Sequence, residues 1–171
     1  MRIYLPSTLP RLSAALDAGQ FEPTLAYAVT PALREWYIEG DREELEYAAL
    51  AAAARAALHL LATDLADADR SATASARRVV VAADMPDRAV RPAPTAGRAA
   101  VQVGEPVLFS HVDSALVDDE RAGDDVRRAV LALDAAAAGD QDAQFVVDSV
   151  EDHELAWYAA QEIGVLVELE T

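Results

Sequence analysis

A continuous apolar run, Val79–Ala83, constrains the fold of this chain more than any other segment. Arg77 and Arg78 precede it and Asp84 ends it. A strand with one solvated face alternates apolar and polar residues, whereas this β-branched run predicts a strand buried on both faces. Such a strand needs further layers on both sides of its sheet.

The C-terminal segment indicates how the strands run. The pattern predicts a strand at Gln144–Val147, a helix from Val150 to Ile163 that Ser149 caps, Gly164 at the helix end, and a last strand at Val165–Leu169. A strand–helix–strand unit requires parallel strands. The apolar spacing in residues 142–163 also fits one or two helices, so this alternative stays open.

The order of the predicted elements favours one α/β domain over residues 1–171. Its sheet is predicted to be mainly parallel and flanked by helices, with an antiparallel edge hairpin at the Gly104 turn as an option. The alternative is an α+β fold with a small sheet and a helical C-terminal part. Residues 64–76 lack periodicity and predict a flexible linker or loop, and residues 84–98 predict a proline-rich loop.

Composition excludes some classes of site. The chain has no cysteine, so disulfides, thiolate metal sites and cysteine nucleophiles are excluded. All 14 basic residues are arginine and alanine is abundant, which indicates a GC-rich coding bias. The N-terminus lacks a signal-peptide pattern, and no uninterrupted apolar run approaches the ~20 residues of a membrane span. We therefore expect a cytoplasmic protein with no membrane partner.

The net charge of −16 is unevenly distributed. Residues 1–110 carry 14 acidic residues and 11 arginines, whereas residues 111–171 carry 16 acidic residues and three arginines. Acidic surfaces repel phosphate backbones, so direct nucleic-acid binding is disfavoured. A basic protein partner, or self-association through an apolar face, is compatible with this charge.

Acidic residues follow several predicted strands. They are Asp84, Asp118, Asp119 and Asp148. If the strands are parallel neighbours, these carboxylates meet at one edge of the sheet, where they would bind Mg²⁺ or Mn²⁺. The alternative is that they cap the elements that follow. No cofactor is otherwise evident in the sequence, which has no nucleotide-binding motif.

A second candidate cluster surrounds the histidine of the C-terminal part. It contains Asp152, His153, Glu154, Trp157 and Tyr158. On the predicted helix, residues four apart share a face, which would pair His153 with Trp157 and Glu154 with Tyr158. The histidine could then act as a general base or bind a metal or a partner. Acidic residues in a first helical turn also suit the helix dipole without any functional role.

The third candidate cluster, Arg34, Glu35, Trp36 and Tyr37, lies on a short predicted helix. An arginine beside two aromatic side chains is typical of a carboxylate or phosphate clamp, and of a protein-binding hot spot. The structural alternative places Trp36 in the core and leaves Arg34 and Glu35 as a solvated pair.

The strand-end acids invite comparison with the PIN-like nucleases. The segment QFVVDSVEDHELAWYAAQEIGVLVELE is similar to their closing strand–helix–strand unit. Their first strand delivers an aspartate, whereas the equivalent position here reads Leu5-Pro6-Ser7. The resemblance implies a divalent-metal-dependent hydrolase, and the missing aspartate weakens that implication.

Three segments together resemble a family of small actinobacterial proteins that is classed as a domain of unknown function. They are MRIYLPSTL, AVTPALREWYIEGDREELEYAA and DHELAWYAAQE. This resemblance implies no activity. The sequence therefore leaves the function unknown. We take a non-catalytic binding or interaction protein as the leading hypothesis, with the metal-dependent hydrolase as its alternative.

Overall fold

A computed structural model of the protein describes residues 1–22, 25–66 and 76–169. The strands are β1 (Arg2–Ser7), β2 (Gln20–Phe21), β3 (Leu25–Tyr27), β4 (Val79–Asp84), β5 (Val90–Pro92), β6 (Ala100–Val103), β7 (Val107–Leu108), β8 (Val112–Asp118) and β9 (Leu155–Ala159). The α-helices are α1 (Leu9–Ala18), α2 (Pro31–Trp36), α3 (Arg42–Ala66), α4 (Gly123–Ala137), α5 (Gln141–Ser149) and α6 (Ile163–Leu169).

The main sheet has seven strands in the order β5-β6-β3-β1-β4-β8-β9, and β2 pairs with β7 in a small second sheet. Every strand pair is antiparallel. The prediction of a mainly parallel α/β sheet is therefore wrong, and the protein is an α+β fold. The α+β alternative matches the class, although its small sheet does not match these seven strands.

The connection between β8 and β9 shows why the parallel assignment failed. The chain leaves β8 and passes through α4 and α5, which pack against each other. Asp118, at the end of β8, pairs with Leu155, at the start of β9. Two successive helices return the chain to the end of the sheet from which it left, so the next strand runs antiparallel.

The C-terminal strand–helix–strand prediction is wrong in every element. The predicted strand Gln144–Val147 lies in α5, the predicted helix Val150–Ile163 contains β9, and the predicted strand Val165–Leu169 lies in α6. The α6 helix buries Ile163, Leu166 and Val167, which have the helical spacing i, i+3 and i+4. The alternative of one or two helices over 142–163 matches α5 and fails at β9.

The main sheet is covered on both faces, as the Val79–Ala83 run predicts. Val79 and Val81 pack with residues of α1 and α6 on one face. Val80 and Ala82 pack on the other face against α3, whose small side chains there include Ala49 and Ala53. Because these alanines have short side chains, the helix lies close to the strands.

The α3 helix is 25 residues long and apolar enough to cross a membrane by length and composition alone. The buried side chains of α3, among them Leu45, Ala49, Ala53 and Leu58, belong to the clusters that pack against β4 and α4. Its apolar character therefore serves the core. No other helix in the described ranges passes that test.

The two segments that were predicted to be irregular differ in structure. The first three residues of 64–76 end α3, residue 76 follows without regular structure, and 67–75 lie outside the described residues. Residues 84–98 begin at the end of β4 and contain β5 and two short 3-10 turns. The proline-rich segment thus supplies one edge of the main sheet, because β5 is the outermost strand on that side of the sheet.

Candidate interaction surface

An apolar groove lies between α3 and the β8–β9 end of the main sheet. Its volume is about 290 Å³. Tyr47, Leu50, Ala51 and Ala54 line it from α3, Leu116 from β8 and Leu155 from β9, and the remaining lining residues are Arg78, Glu151, His153 and Glu154. We call this feature the α3–β9 groove. It exists because α3 packs over β1 and β4 and leaves the same face of β8 and β9 partly open.

Trp157 lies beside the α3–β9 groove on β9 and is not one of its lining residues. It pairs with Leu116 across the β8–β9 ladder, so both side chains lie on the face that carries α3. Its side chain is 61% exposed. Tyr158, the next residue, points to the opposite face and packs against the cluster that contains α6. The sequence prediction placed both aromatic residues on one helix, whereas the strand separates them onto two faces.

A buried ion pair borders the α3–β9 groove. Arg78 Nε and Nη2 donate to the two carboxylate oxygens of Asp118 at 2.8 and 2.7 Å, and the backbone N–H of Arg78 donates to Asp118 Oδ2 at 2.7 Å. Arg78 Nη2 also donates to the carbonyl of His153 at 3.1 Å. This network fixes the segment that leads into β9 against the start of β4.

His153 is held by an acidic side chain rather than directed at a metal site. Its Nε2 lies 2.8 Å from Asp125 Oδ2, at the start of α4. Arg128 contacts the same carboxylate. Hydrogen bonds with His153 and with Arg128 lower the pKa of Asp125 below its usual value, and the bond with His153 has the larger effect. Among the candidate residues nearby, Asp152 and Glu154 are exposed, and Glu154 lines the groove.

A second depression adjoins the groove and is acidic. It is lined by Tyr37, Ile38, Glu39, Gly40, Glu43, Glu44, Tyr47, Ala48, Ala51 and Glu151, and Tyr47, Ala51 and Glu151 also line the groove. None of these described lining residues is basic. Ile38 and Tyr47 are 89% and 67% exposed. Together, the two depressions form an apolar surface with an acidic rim.

The structure places the predicted strand-end carboxylates apart. Val79 of β4 pairs with Val117 of β8, so Asp84 and Asp118 lie at opposite ends of these antiparallel strands. Asp84 pairs with Arg2 at 2.9 Å, Asp118 is fully buried with Arg78, and Asp119 accepts the N–H of Arg121 at 2.9 Å. Asp148 lies on α5 and pairs with Arg55 at 2.8 Å.

These ion pairs change the chemistry that the carboxylates can do. The hydrogen bond from Arg2 lowers the pKa of Asp84, and that from Arg55 lowers the pKa of Asp148. Within the described ranges, no three acidic or histidine side chains lie close enough to hold a metal ion. The hydrolase interpretation, and the Mg²⁺ or Mn²⁺ that it requires, therefore gain no shared site from this part of the chain.

The Arg34–Tyr37 cluster divides between two surroundings. Trp36 is 61% exposed, so it is not a core residue, and the guanidinium of Arg98 stacks 3.7 Å from its ring centre. Tyr37 lines the acidic depression, whereas Arg34 and Glu35 are exposed on α2. The cluster thus contributes one residue to the candidate surface.

Comparison with known protein families finds one family for this chain. The model of a family described as "Family of unknown function (DUF6912)" matches residues 1–167. The chain belongs to this family. No curated protein and no solved structure matches the chain. The resemblance to a family of unknown function is therefore confirmed, and membership of DUF6912 assigns no activity to the surface.

The sequence did not predict three residues of the candidate surface, Tyr47, Glu151 and Arg78. Tyr47 and Glu151 lie far apart in the chain and meet only because α5 packs beside α3 through the Arg55 ion pairs. Arg78 precedes the most apolar strand, where the sequence gives no sign that Asp118 is its partner. The one available signal was the aromatic residue Tyr47 in the second turn of α3, where it directly precedes the alanine-rich stretch of the helix.

Proposed function

We propose that this member of DUF6912 is a non-catalytic interaction protein that binds a basic, partly apolar polypeptide on the α3–β9 groove. The observation that carries the proposal is the pairing of exposed aromatic residues with an acidic rim. Trp157 and Tyr47 are both more than half exposed; Tyr47 lines the groove, and Trp157 lies beside it on β9. Exposed apolar patches rimmed by polar residues are typical of interaction sites.

Charge defines the partner. Glu39, Glu43, Glu44 and Glu151 line the depression that continues the groove, and Glu154 lines the groove itself. Arg78 is the basic lining residue of the groove, and its charge is matched by the buried Asp118. Glu151 is already paired with Arg55, whereas Glu39, Glu43 and Glu154 have no ion pair within the described residues. Lysine or arginine side chains on a partner would therefore meet these three carboxylates at the rim, which favours encounter and orientation.

The composition of the chain agrees with an intracellular role. We place the protein in the cytoplasm of an actinobacterium, because it lacks cysteine and its basic residues are all arginine.

A pull-down from the native cytosol with substituted baits tests the proposal. Tyr47→Ala removes the aromatic residue that lines the groove, and Trp157→Ala removes the exposed aromatic residue beside it on β9. We expect both variants to lose basic proteins that the wild-type chain retains, because truncation of a hot-spot aromatic residue costs roughly 2 kcal/mol or more of binding free energy.

Trp36→Ala is the matched control. Trp36 has the same residue type and the same 61% exposure as Trp157, yet it lies on α2 and not on β9 beside the groove. The control bait should retain the same proteins as the wild-type chain. If the three variants and the wild-type chain capture identical sets, or if the proteins lost are acidic, the groove is not the binding site.

A further inference from the structure

The two outer strands of the main sheet are protected unequally. At one edge, β5 has three residues, of which Arg91 and Pro92 are exposed. A charged residue and a proline on a short edge strand are the usual protection against pairing with another chain. At the other edge, β9 has five residues, Leu155–Ala159, with neither a charge nor a proline.

Hydrogen bonding across the sheet shows which backbone groups of β9 face outward. The N–H of Asp118 donates to the carbonyl of Arg78, on the β4 side of β8, at 3.1 Å. Alternate residues of a strand hydrogen-bond to opposite neighbours, so the backbone N–H and C=O groups of Ala115 and Val117 point toward β9. Their partners on β9 are Tyr158 and Ala156.

The remaining residues of β9 therefore turn their N–H and C=O groups away from the sheet. They are Leu155, Trp157 and Ala159. The N–H of Ala159 agrees with this direction, because it donates to the side chain of Glu162 at 2.8 Å. No described strand lies beyond β9, so Leu155 and Trp157 present a free backbone edge beside the α3–β9 groove.

We propose that the outer edge of β9 accepts an extended, basic and apolar segment of a partner as an eighth strand. This inference rests on the proposed function and names how the partner of the groove binds. In an added strand, alternate side chains lie on the α3 face beside Leu155 and Trp157, where the groove receives them. The other side chains lie on the face of Tyr158.

Charge selects a basic segment over a second copy of this chain. In an antiparallel pair of β9 strands centred on Trp157, the acidic residues that precede β9, Asp152 and Glu154, approach Glu162 of the other copy. Like charges across a strand pair are destabilising, and each copy carries a net charge of −16. A basic segment meets the same acidic side chains with opposite charge.

A library of displayed random linear peptides, selected on the full-length protein, is the probe. We expect the enriched peptides to be basic, with apolar residues at alternate positions. One enriched peptide is then synthesised in two forms, each N-methylated at every second residue. Strand addition predicts that one form loses about tenfold or more in affinity and that the other stays within about threefold, because only one set of amides faces β9.

Two substitutions at Trp157 test the same edge from the side of the protein. Trp157→Val and Trp157→Pro both remove the indole ring, and only proline removes the outward N–H. Since this N–H does not bond to β8, proline leaves the β8–β9 ladder intact. We expect the proline variant to bind the selected peptide about tenfold more weakly than the valine variant.

The outcomes separate the two proposals. Peptides that depend on Tyr47 but tolerate both N-methylated registers equally would overturn strand addition and leave the groove as the binding site. A selection without enrichment, or peptides whose affinity ignores both Tyr47→Ala and Trp157→Val, would overturn both. The N-methylated peptides are measured on the wild-type chain, so the test stands even if the proline variant fails to fold.

Discussion

The buried pair of Arg78 and Asp118 joins three parts of the molecule. Their side chains are 2% and 0% exposed, and they connect the start of β4, the end of β8 and the segment before β9. Taking both charges out of water is costly, and each charge is stabilised chiefly by the other. The pair therefore acts as a geometric constraint whose two members depend on each other.

We predict that Asp118→Ala lowers the free energy of unfolding by about 3–5 kcal/mol, because it leaves the guanidinium of Arg78 buried without its partner. The double variant Arg78→Met/Asp118→Leu should lose less than the single variant, since it removes both charges. Urea denaturation measures the difference. As a control, removal of the exposed Arg2–Asp84 pair by Asp84→Ala should cost about 1 kcal/mol or less.

The lowered pKa of Asp148 predicts a pH dependence. The hydrogen bond from Arg55 keeps the carboxylate charged in the folded protein at a pH where the unfolded chain binds a proton. Its contribution to stability is therefore complete above the unfolded aspartate pKa of about 3.9 and disappears as the pH falls through the lower, folded value.

Thermal unfolding of the wild-type chain and of Asp148→Asn should reveal this dependence. The wild-type chain should be the more stable at neutral pH, and the two melting temperatures should converge in acid. A difference that stays constant from pH 7 to the acid limit would contradict this account of Asp148.

At the scale of single elements, helix ends follow local chemistry. Thr8 accepts the N–H of Arg11 at the start of α1, and Asp41 and Glu44 exchange hydrogen bonds at the start of α3. Gly19 ends α1 with a φ of 72°, a conformation that side chains other than glycine rarely adopt. These ends were predictable from sequence because each depends on residues within one turn.

Gly19 and Gly164 form a matched pair for a stability prediction. A methyl group added at either position meets nothing within 4 Å. Gly19→Ala should nevertheless destabilise the protein by about 1 kcal/mol, since its φ is positive. Gly164→Ala lies within α6 and should stabilise by roughly 0.5–1 kcal/mol, because alanine is the better helix former. Equal effects in chemical denaturation would refute this assignment.

The positions of several strands could be predicted from the sequence, whereas their directions in the sheet could not. Short apolar runs at Arg2–Leu5, Leu25–Val29 and Val79–Ala83 are each enough to predict a strand, and β1, β3 and β4 lie there. Their antiparallel pairing depends on how helices return the chain across the molecule, which is a long-range property. Phe145 shows the same limit at residue level: it lies within the segment predicted as the strand Gln144–Val147, yet it is exposed on α5.

Only part of the candidate site could be predicted from the sequence, because its geometry depends on contacts between distant segments. Trp157 and Glu154 were singled out from an aromatic and acidic cluster; Glu154 lines the groove now proposed for binding, and Trp157 lies beside it. The helix on which they were placed does not form, so the predicted pairing of His153 with Trp157 is absent from the structure. Residue type was informative there, and residue geometry was not.

At the scale of the whole molecule, charge opposes association between copies through β9. At an ionic strength of about 1 M the screening length falls to ~3 Å, so repulsion between acidic surfaces largely disappears. We predict that light scattering then detects an increase in mass for the wild-type chain. Trp157→Pro should remain monomeric under the same conditions, because its edge lacks the outward N–H.

A mass that does not change with salt, or an equal increase in the proline variant, would contradict this prediction. The matched comparison is Trp157→Val, which keeps the backbone donor and should still associate. The experiment needs no partner and therefore tests the exposed edge by itself.

The unequal edges of the main sheet also limit stoichiometry. A sheet with two open sides can add chains repeatedly and grow into a fibre. Here β5 is short and carries Pro92, so a strand received at β9 has no counterpart on the far side. A complex formed through this edge is finite: one molecule engages one segment, and its concentration sets how many segments can be occupied at once.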